Sequence, residues 1–140
     1  MLQRIQSIWL LLAATMSALS LKFSFFSGNK LNTETNVKEW IEYTADQGSL
    51  NAIFTIAICV ATLVCIFMYK DRKRQLLISL IVLVGSLLNI FLYYNASKTF
   101  TESNTDLTAL ISLSIPVFLV LASFGIYKDE QMVKNADRLR

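Results

Sequence analysis

The sequence predicts an all-α membrane protein, with four transmembrane helices in an antiparallel bundle and both termini cytoplasmic. Three features carry that expectation. Hydrophobic residues make up 54% of the 140-residue chain and charged residues only 16%, where roughly a quarter charged is usual, and the mean hydropathy is +0.50. The charges are gathered in a few blocks, leaving apolar runs of membrane-spanning length between them. Between the second and third runs stands Lys70-Asp71-Arg72-Lys73-Arg74, a short basic turn that fixes the orientation of its neighbours. One four-helix domain over residues 1–140 follows, with spans of about 5–26, 50–69, 75–94 and 107–127, an outer amphipathic loop 27–49 and a helical tail 128–140.

The first run, Ile5 to Phe26, is broken only by uncharged polar residues and by Lys22 near its end. Arg4, the apolar stretch through Ala14 and the small residues Ser17, Ala18 and Ser20 also fit a cleavable signal peptide. A retained anchor accounts better for the apolar character that continues through Leu21, Phe23, Phe25 and Phe26, with the Lys22 ammonium reaching the headgroups.

The longest polar segment follows, to about Ser49, and is net acidic. Val37, Trp40, Ile41 and Thr44 fall at helical spacing, and Asn36 with Glu39 three residues on gives a weak capping-box pattern. A short surface helix with Trp40 at the interface is one expectation, a solvated loop with a few aromatic contacts the other.

Leu50 to Met68 would cover about 28 Å as a helix, close to the hydrocarbon thickness. Asn51, Thr55, Cys59 and Thr62 recur along one side of it. Such stripes serve helix packing more often than they line a pathway, and this one has no ionisable group of the kind that marks a relay. In the third run, Leu76 to Tyr94, Ser79, Gly85, Ser86 and Asn89 supply the small or polar face, and Tyr93 and Tyr94 close it as an aromatic belt. Gly85 and Asn89, one turn apart, predict a close approach by a neighbouring helix.

A second outer loop, Asn95 to Asp106, leads to the fourth run, Leu107 to Tyr127. Pro116 near its middle removes a backbone donor, and Ser112 one turn earlier is placed to back-bond the freed region. The tail KDEQMVKNADRLR is charged yet periodic: Met132, Val133, Ala136 and Leu139 share a face, and Glu130 with Lys134 makes an i,i+4 pair. It either continues the fourth helix or folds back beneath the bundle. Its stripe suits the cytoplasmic headgroups or a docking helix for another protein.

With termini in the cytoplasm, nine cations lie inside: Arg4, Lys70, Arg72, Lys73, Arg74, Lys128, Lys134, Arg138 and Arg140. Lys22, Lys30, Lys38 and Lys98 lie outside. That bias, with every arginine inside, follows the positive-inside rule.

Chemistry is harder to find. The chain has no histidine, so it lacks the commonest metal ligand and the usual general base near neutral pH. Cys59 and Cys65 point in different directions on one helix and cannot bond to each other there. No phosphate loop, metal-spaced cysteine pair or intramembrane carboxylate occurs, so neither a catalytic residue nor a cofactor is expected. The outer acidic residues Glu34, Glu39, Glu42, Asp46, Glu102 and Asp106 could meet above the bundle and bind a cation, although solvated surface charge is commoner. The cations form no extended basic face, and nucleic acid is not an expected partner.

The opening MLQRIQSIWLLLA, Met1 to Ala13, the ending KDEQMVKNADRLR and Arg72-Lys73-Arg74-Gln75 resemble an uncharacterised bacterial membrane family, domain of unknown function family 4293. The resemblance covers the whole chain and implies a bacterial inner-membrane, multi-pass protein of four helices. It brings no activity, ligand or catalytic residue. Two classes of function stay open. One is a structural or accessory subunit whose partners are the lipid bilayer and a further protein, or a second copy, met through the helix faces or the cytoplasmic side. That side presents Arg4, Met132, Val133, Ala136, Arg138, Leu139 and Arg140. The other is a small oligomeric transporter or channel using the faces of Asn51, Thr55, Asn89 and Ser112.

Overall fold

The structure is a computed structural model that describes residues 2–31, 38–69, 71–100 and 102–138. Among these residues the chain forms four helices, α1 (Leu2–Ser20), α2 (Ser49–Phe67), α3 (Arg72–Ser97) and α4 (Ala109–Arg138). A sheet of β1 (Phe26–Leu31), β2 (Lys38–Tyr43) and β3 (Glu102–Thr105) caps one end of them. The helical architecture expected from the sequence is present. α2, α3 and α4 are long and apolar enough to cross a membrane, and α1 contributes the shorter apolar helix Ile5–Ser20.

Contacts between helices show how they run. Gln6 meets Gly125 and Trp9 meets Phe118, so α1 and α4 are antiparallel. Thr55 meets Asn89 and Cys65 meets Gln75, which sets α2 against α3. Ser79 meets Ser123 and Arg72 meets Asp129, which sets α3 against α4. α1 also packs on α2, where the Cys59 thiol lies 3.7 Å from the Ala14 carbonyl oxygen. The helices therefore form a square, up-down-up-down bundle.

Each inward stripe is written in steps of three and four: Asn51, Thr55, Ile58, Thr62 and Cys65 on α2, and Gln75, Ser79, Val82, Ser86, Asn89 and Tyr93 on α3. That seven-residue rhythm keeps one seam facing the neighbours, as in shallow-angle bundles. Leu10, Ala13, Ile58, Val82, Ile115 and Leu119 fill the middle of the bundle.

The surface is more apolar than the interior. Phe67 is 78% and Phe124 68% exposed, and Ile53, Ile56, Val60, Leu80, Ile81, Val84, Phe91, Val117 and Val120 all face outward. Buried inside instead are Gln6, Ser17, Asn51, Thr55, Thr62, Gln75, Ser79, Ser86, Asn89, Ser112, Ser123 and Asp129. In water this much contiguous apolar surface would drive aggregation. In hydrocarbon the helices gain nothing by hiding apolar groups, and close packing and polar contacts hold them instead. Tyr69 and Tyr127 are exposed at one end, Trp40 and Tyr94 at the other, as two aromatic belts. From Arg74 to Tyr94 the rise along α3 is about 30 Å, the thickness of a hydrocarbon core.

Several expectations need correction. α1 ends at Ser20, and Phe26 begins a strand, so the first apolar run is not one helix to Phe26. Ser17 and Ser20 bond back to the carbonyls of Ala14 and Ser17 (2.9 and 2.8 Å) as the helix closes, and Phe25 and Phe26 turn inward beneath the sheet. Lys22 lies in that turn. The surface helix around Trp40 is instead β2, paired antiparallel with β1 from Phe26↔Tyr43 to Leu31↔Lys38. Asn36 and Val37 lie outside the described residues. Part of the second outer loop is β3, paired with β1 from Phe26↔Thr105 to Asn29↔Glu102. The basic hairpin is shorter than expected: α2 ends at Phe67, and Arg72, Lys73 and Arg74 form the first turn of α3 behind Asp71, whose carbonyl accepts from the Gln75 amide at 2.9 Å. Lys70 lies outside the described residues. The tail continues α4 without a break to Arg138, with Lys134 and Glu130 paired at 2.9 Å.

Candidate functional site

Two groups of polar residues stand out, one at each end of the bundle. Near the sheet, Asn51 and Thr55 on α2 face Asn89 and Tyr93 on α3, all four buried. Thr55 donates to the carbonyl of Asn51 (2.7 Å) and accepts from the amide nitrogen of Asn89 (3.0 Å). This leaves Asn51 Nδ2, Asn89 Oδ1 and the Tyr93 hydroxyl buried without a partner. A donor, an acceptor and a group able to act as either thus gather in a helix interface. Tyr93, expected in the outer belt, faces inward with its ring stacked on Phe25 at 4.5 Å, and Tyr94 alone of the pair is exposed.

Asn89→Leu tests whether this group holds the fold. It removes one hydrogen bond together with an unpartnered acceptor, so stability in detergent should change by no more than about 1 kcal/mol, measured by thermal unfolding. A loss above roughly 3 kcal/mol would show that the Asn89 amide makes a second bond.

Above this group lies an aromatic cluster. Phe26 stacks on Tyr43 (4.8 Å) and meets Phe100 edge-on (5.0 Å), while Tyr43 meets Tyr93 edge-on at 6.3 Å. The Tyr43 hydroxyl occupies the space where a side chain at Gly48 would begin, so a larger residue there would have to push Tyr43 out of its stack on Phe26. Burial raises the Tyr43 phenol above its ordinary 10.0. The fold then favours the neutral ring, and stability should fall as pH rises past 10 through the higher folded value. Ultraviolet titration of Tyr43→Phe against the parent checks this.

Asp106 ties the cap to the bundle. Its carboxylate accepts from Ser24 (2.6 Å) and Ser27 (2.7 Å), and Thr108 donates to the Ser24 carbonyl at 2.6 Å. Among the described residues no three acidic groups approach closely enough to hold a metal ion, and Glu34 and the side chain of Glu102 lie outside them.

At the other end Gln6 donates to the Gly125 carbonyl at 2.8 Å, and a Cβ on Gly125 would come within 2.9 Å of the Gln6 side chain. Gln75 Nε2 donates to the Cys65 carbonyl (3.0 Å). Arg72 donates to the Asp129 carbonyl (3.1 Å), with its guanidinium 4.0 Å from the Asp129 carboxylate. Asp71, Arg72, Lys73 and Arg74 line a cavity of about 500 Å³ with Glu130, Val133 and Lys134. Met132 and Val133 are exposed on α4. The side chains of Arg4, Ala136 and Arg138 and the whole of Leu139 and Arg140 lie outside the described residues.

Of the other sequence candidates, Ser112 is buried, and the hydroxyl that bonds back near Pro116 belongs to Ser114, onto the Ile111 carbonyl (2.6 Å). Gly85 does not seat a neighbouring helix of this chain. A Cβ there would meet nothing within 4 Å, and the residue opens an apolar groove on the outer face of α2 and α3. Gln6, Gln75 and Asp129 lie in the stretches that carry the family resemblance, but the sequence assigned them no role. Their one signal was position, polar residues on the inward rhythm of otherwise apolar helices.

A helical core with a polar seam, an apolar exterior and two aromatic belts defines a small membrane-type bundle. The chain belongs to the family described as Domain of unknown function (DUF4293), whose model matches residues 2–139. Comparison with curated proteins and with solved structures finds no match in either.

Proposed function

We propose that the chain is a multi-pass protein of the bacterial inner membrane, with both termini cytoplasmic, that serves as a structural or accessory subunit of a membrane complex rather than as an enzyme. The observation that supports this most is the length of α4. Asp129 is level with Arg72 at the start of α3, yet α4 continues to Arg138, about 13 Å further. On that extension Met132 and Val133 are exposed between charges too dense for hydrocarbon. An apolar pair held on a rigid helix at the membrane surface suits contact with another protein. The bias of cations toward this end of the chain supports the orientation.

A photo-crosslinking residue at position 133 in native membranes tests the proposal. A discrete adduct of defined mass, missing when the same residue stands at position 120 on the outer face, is the expected result. Recovery of nothing but monomer from both positions would sink it.

A second reading, a small oligomeric transporter, is favoured by one observation, the unpartnered polar atoms of Asn51, Asn89 and Tyr93. Identical liposome flux for the parent and Asn89→Leu over a panel of small solutes would argue against it.

A further inference from the structure

Beyond the proposed subunit role, the geometry points to a binding site for one anionic phospholipid along the outer face of α3, and we propose that Lys73 and Arg74 hold its phosphate while the groove floored by Gly85 takes an acyl chain. At the headgroup level Lys73 and Arg74 are exposed and line the cavity of about 500 Å³ with Asp71, Arg72, Val133 and the Glu130–Lys134 pair, so the cations outnumber the carboxylates there by four to two. Arg74 is paired only loosely, at 3.8 Å to the equally exposed Asp71, and Arg72 is turned away to Asp129. The first turn of α3 has no acidic residue, and Asp71 makes no side-chain cap. Cations at the positive end of a helix oppose its dipole. An anion placed there relieves both.

The apolar half lies on the same side of the helix. Lys73 is in line with Leu77, Leu80 and Val84, and Arg74 with Ile81 and Leu88, by the three- and four-residue spacing that puts side chains on one face. Leu77, Leu80, Ile81, Val84, Gly85 and Leu88, with Phe54 of α2, border a groove of about 530 Å³, and a Cβ at position 85 would stand in open space. From Leu77 to Leu88 the groove is about 16 Å long, close to half of a hydrocarbon core of roughly 30 Å. That is the depth of one leaflet. A cationic mouth over an apolar slot of leaflet depth complements a lipid with a charged phosphodiester head better than it does a free anion.

The test uses the full chain in detergent with phosphatidylglycerol and phosphatidylcholine added in equal amounts, retained lipid being read by native mass spectrometry. The parent should keep phosphatidylglycerol with a preference on the order of tenfold or more, as expected for two lysine or arginine contacts at a membrane surface. In K73Q/R74Q the preference should fall to near unity. Gly85→Leu should lower retention of both lipids severalfold and leave the preference intact. Its folding is not at risk, since the new side chain meets no part of the chain at its root. Lys98→Gln, at the far end of α3, should match the parent. Equal retention of the two lipids by the parent, an undiminished preference in K73Q/R74Q, or unchanged retention in Gly85→Leu would overturn the site. Displacement of the lipid by inorganic phosphate alone would show a phosphate site instead.

Discussion

Asp106→Ala should lower the stability of the protein in detergent by about 3 kcal/mol and open the sheet end before the helices. The carboxylate accepts from Ser24 and Ser27 at 2.6 and 2.7 Å, and its own amide reaches the Phe25 carbonyl at 3.3 Å. Hydrogen bonds to a charged acceptor contribute roughly 1.5–3 kcal/mol each, and Asp106 is half-buried, so the lower end of that range applies to both. The two donors sit on the segment from α1 into β1, while Asp106 precedes α4. Without the carboxylate, β1 keeps its ladders to β2 and β3 and the packing of Phe26, but loses its polar side-chain tie to the start of α4. Ser24→Ala and Ser27→Ala should each cost about half as much, and Asp106→Asn should fall between. Hydrogen exchange separates the two parts of the molecule: the amides of β1 should exchange faster in Asp106→Ala while those of α2 and α3 hold. Uniform acceleration throughout would mean that the cap and bundle open together and that Asp106 is not a local tie.

The contrast between cap and bundle also explains what the sequence could convey. A span announces itself locally, because a run such as Leu50 to Met68 has the composition and length that hydrocarbon requires and must be helical to satisfy its backbone. The inward stripe of α2 was legible for the same reason, since Asn51, Thr55 and Thr62 are the polar exceptions in an apolar run. The sheet could not announce itself. Phe26–Leu31 reads FSGNKL and Glu102–Thr105 reads ESNT, sequences poor in strand formers. They pair because the ends of α1 and α3 bring them together and because Phe26, Tyr43 and Phe100 close over one another. Spacing within the β2 segment fitted a helix, and only the pairing with β1 decides otherwise. At the basic end the cations were legible but their roles were not. Arg72, Lys73 and Arg74 read as equivalent neighbours, yet the helix turns Arg72 toward α4 and leaves Lys73 and Arg74 outside. Gly85 read as a seat for a neighbouring helix, yet it faces open space, because which side of α3 turns inward depends on a rotation that the run itself does not encode.

Arg72→Leu should cost about 2 kcal/mol, and the double variant with Asp129→Asn should recover most of it. Asp129 is buried, with 4% of its surface exposed, and Arg72 is the cation beside it. Removing one partner of a fully buried ion pair costs roughly 3–5 kcal/mol, because the other charge is stranded. Here the guanidinium is partly exposed and stands 4.0 Å from the carboxylate, so water shares the pairing and the smaller figure applies. The contact to the Asp129 carbonyl, at 3.1 Å, is lost as well. Asparagine at 129 removes the stranded charge while keeping the shape, so a cycle of Arg72→Leu, Asp129→Asn and the double variant should show a coupling of about 1–2 kcal/mol. Arg72→Lys should retain the charge but not the planar fork that reaches carbonyl and carboxylate together, and should lose about 1 kcal/mol. A coupling near zero would mean that Arg72 contributes only its carbonyl hydrogen bond and that Asp129 is solvated from the bundle end. The pair also sets the relation between the start of α3 and the extension of α4. If it holds that junction, Arg72→Leu should also weaken crosslinking from position 133.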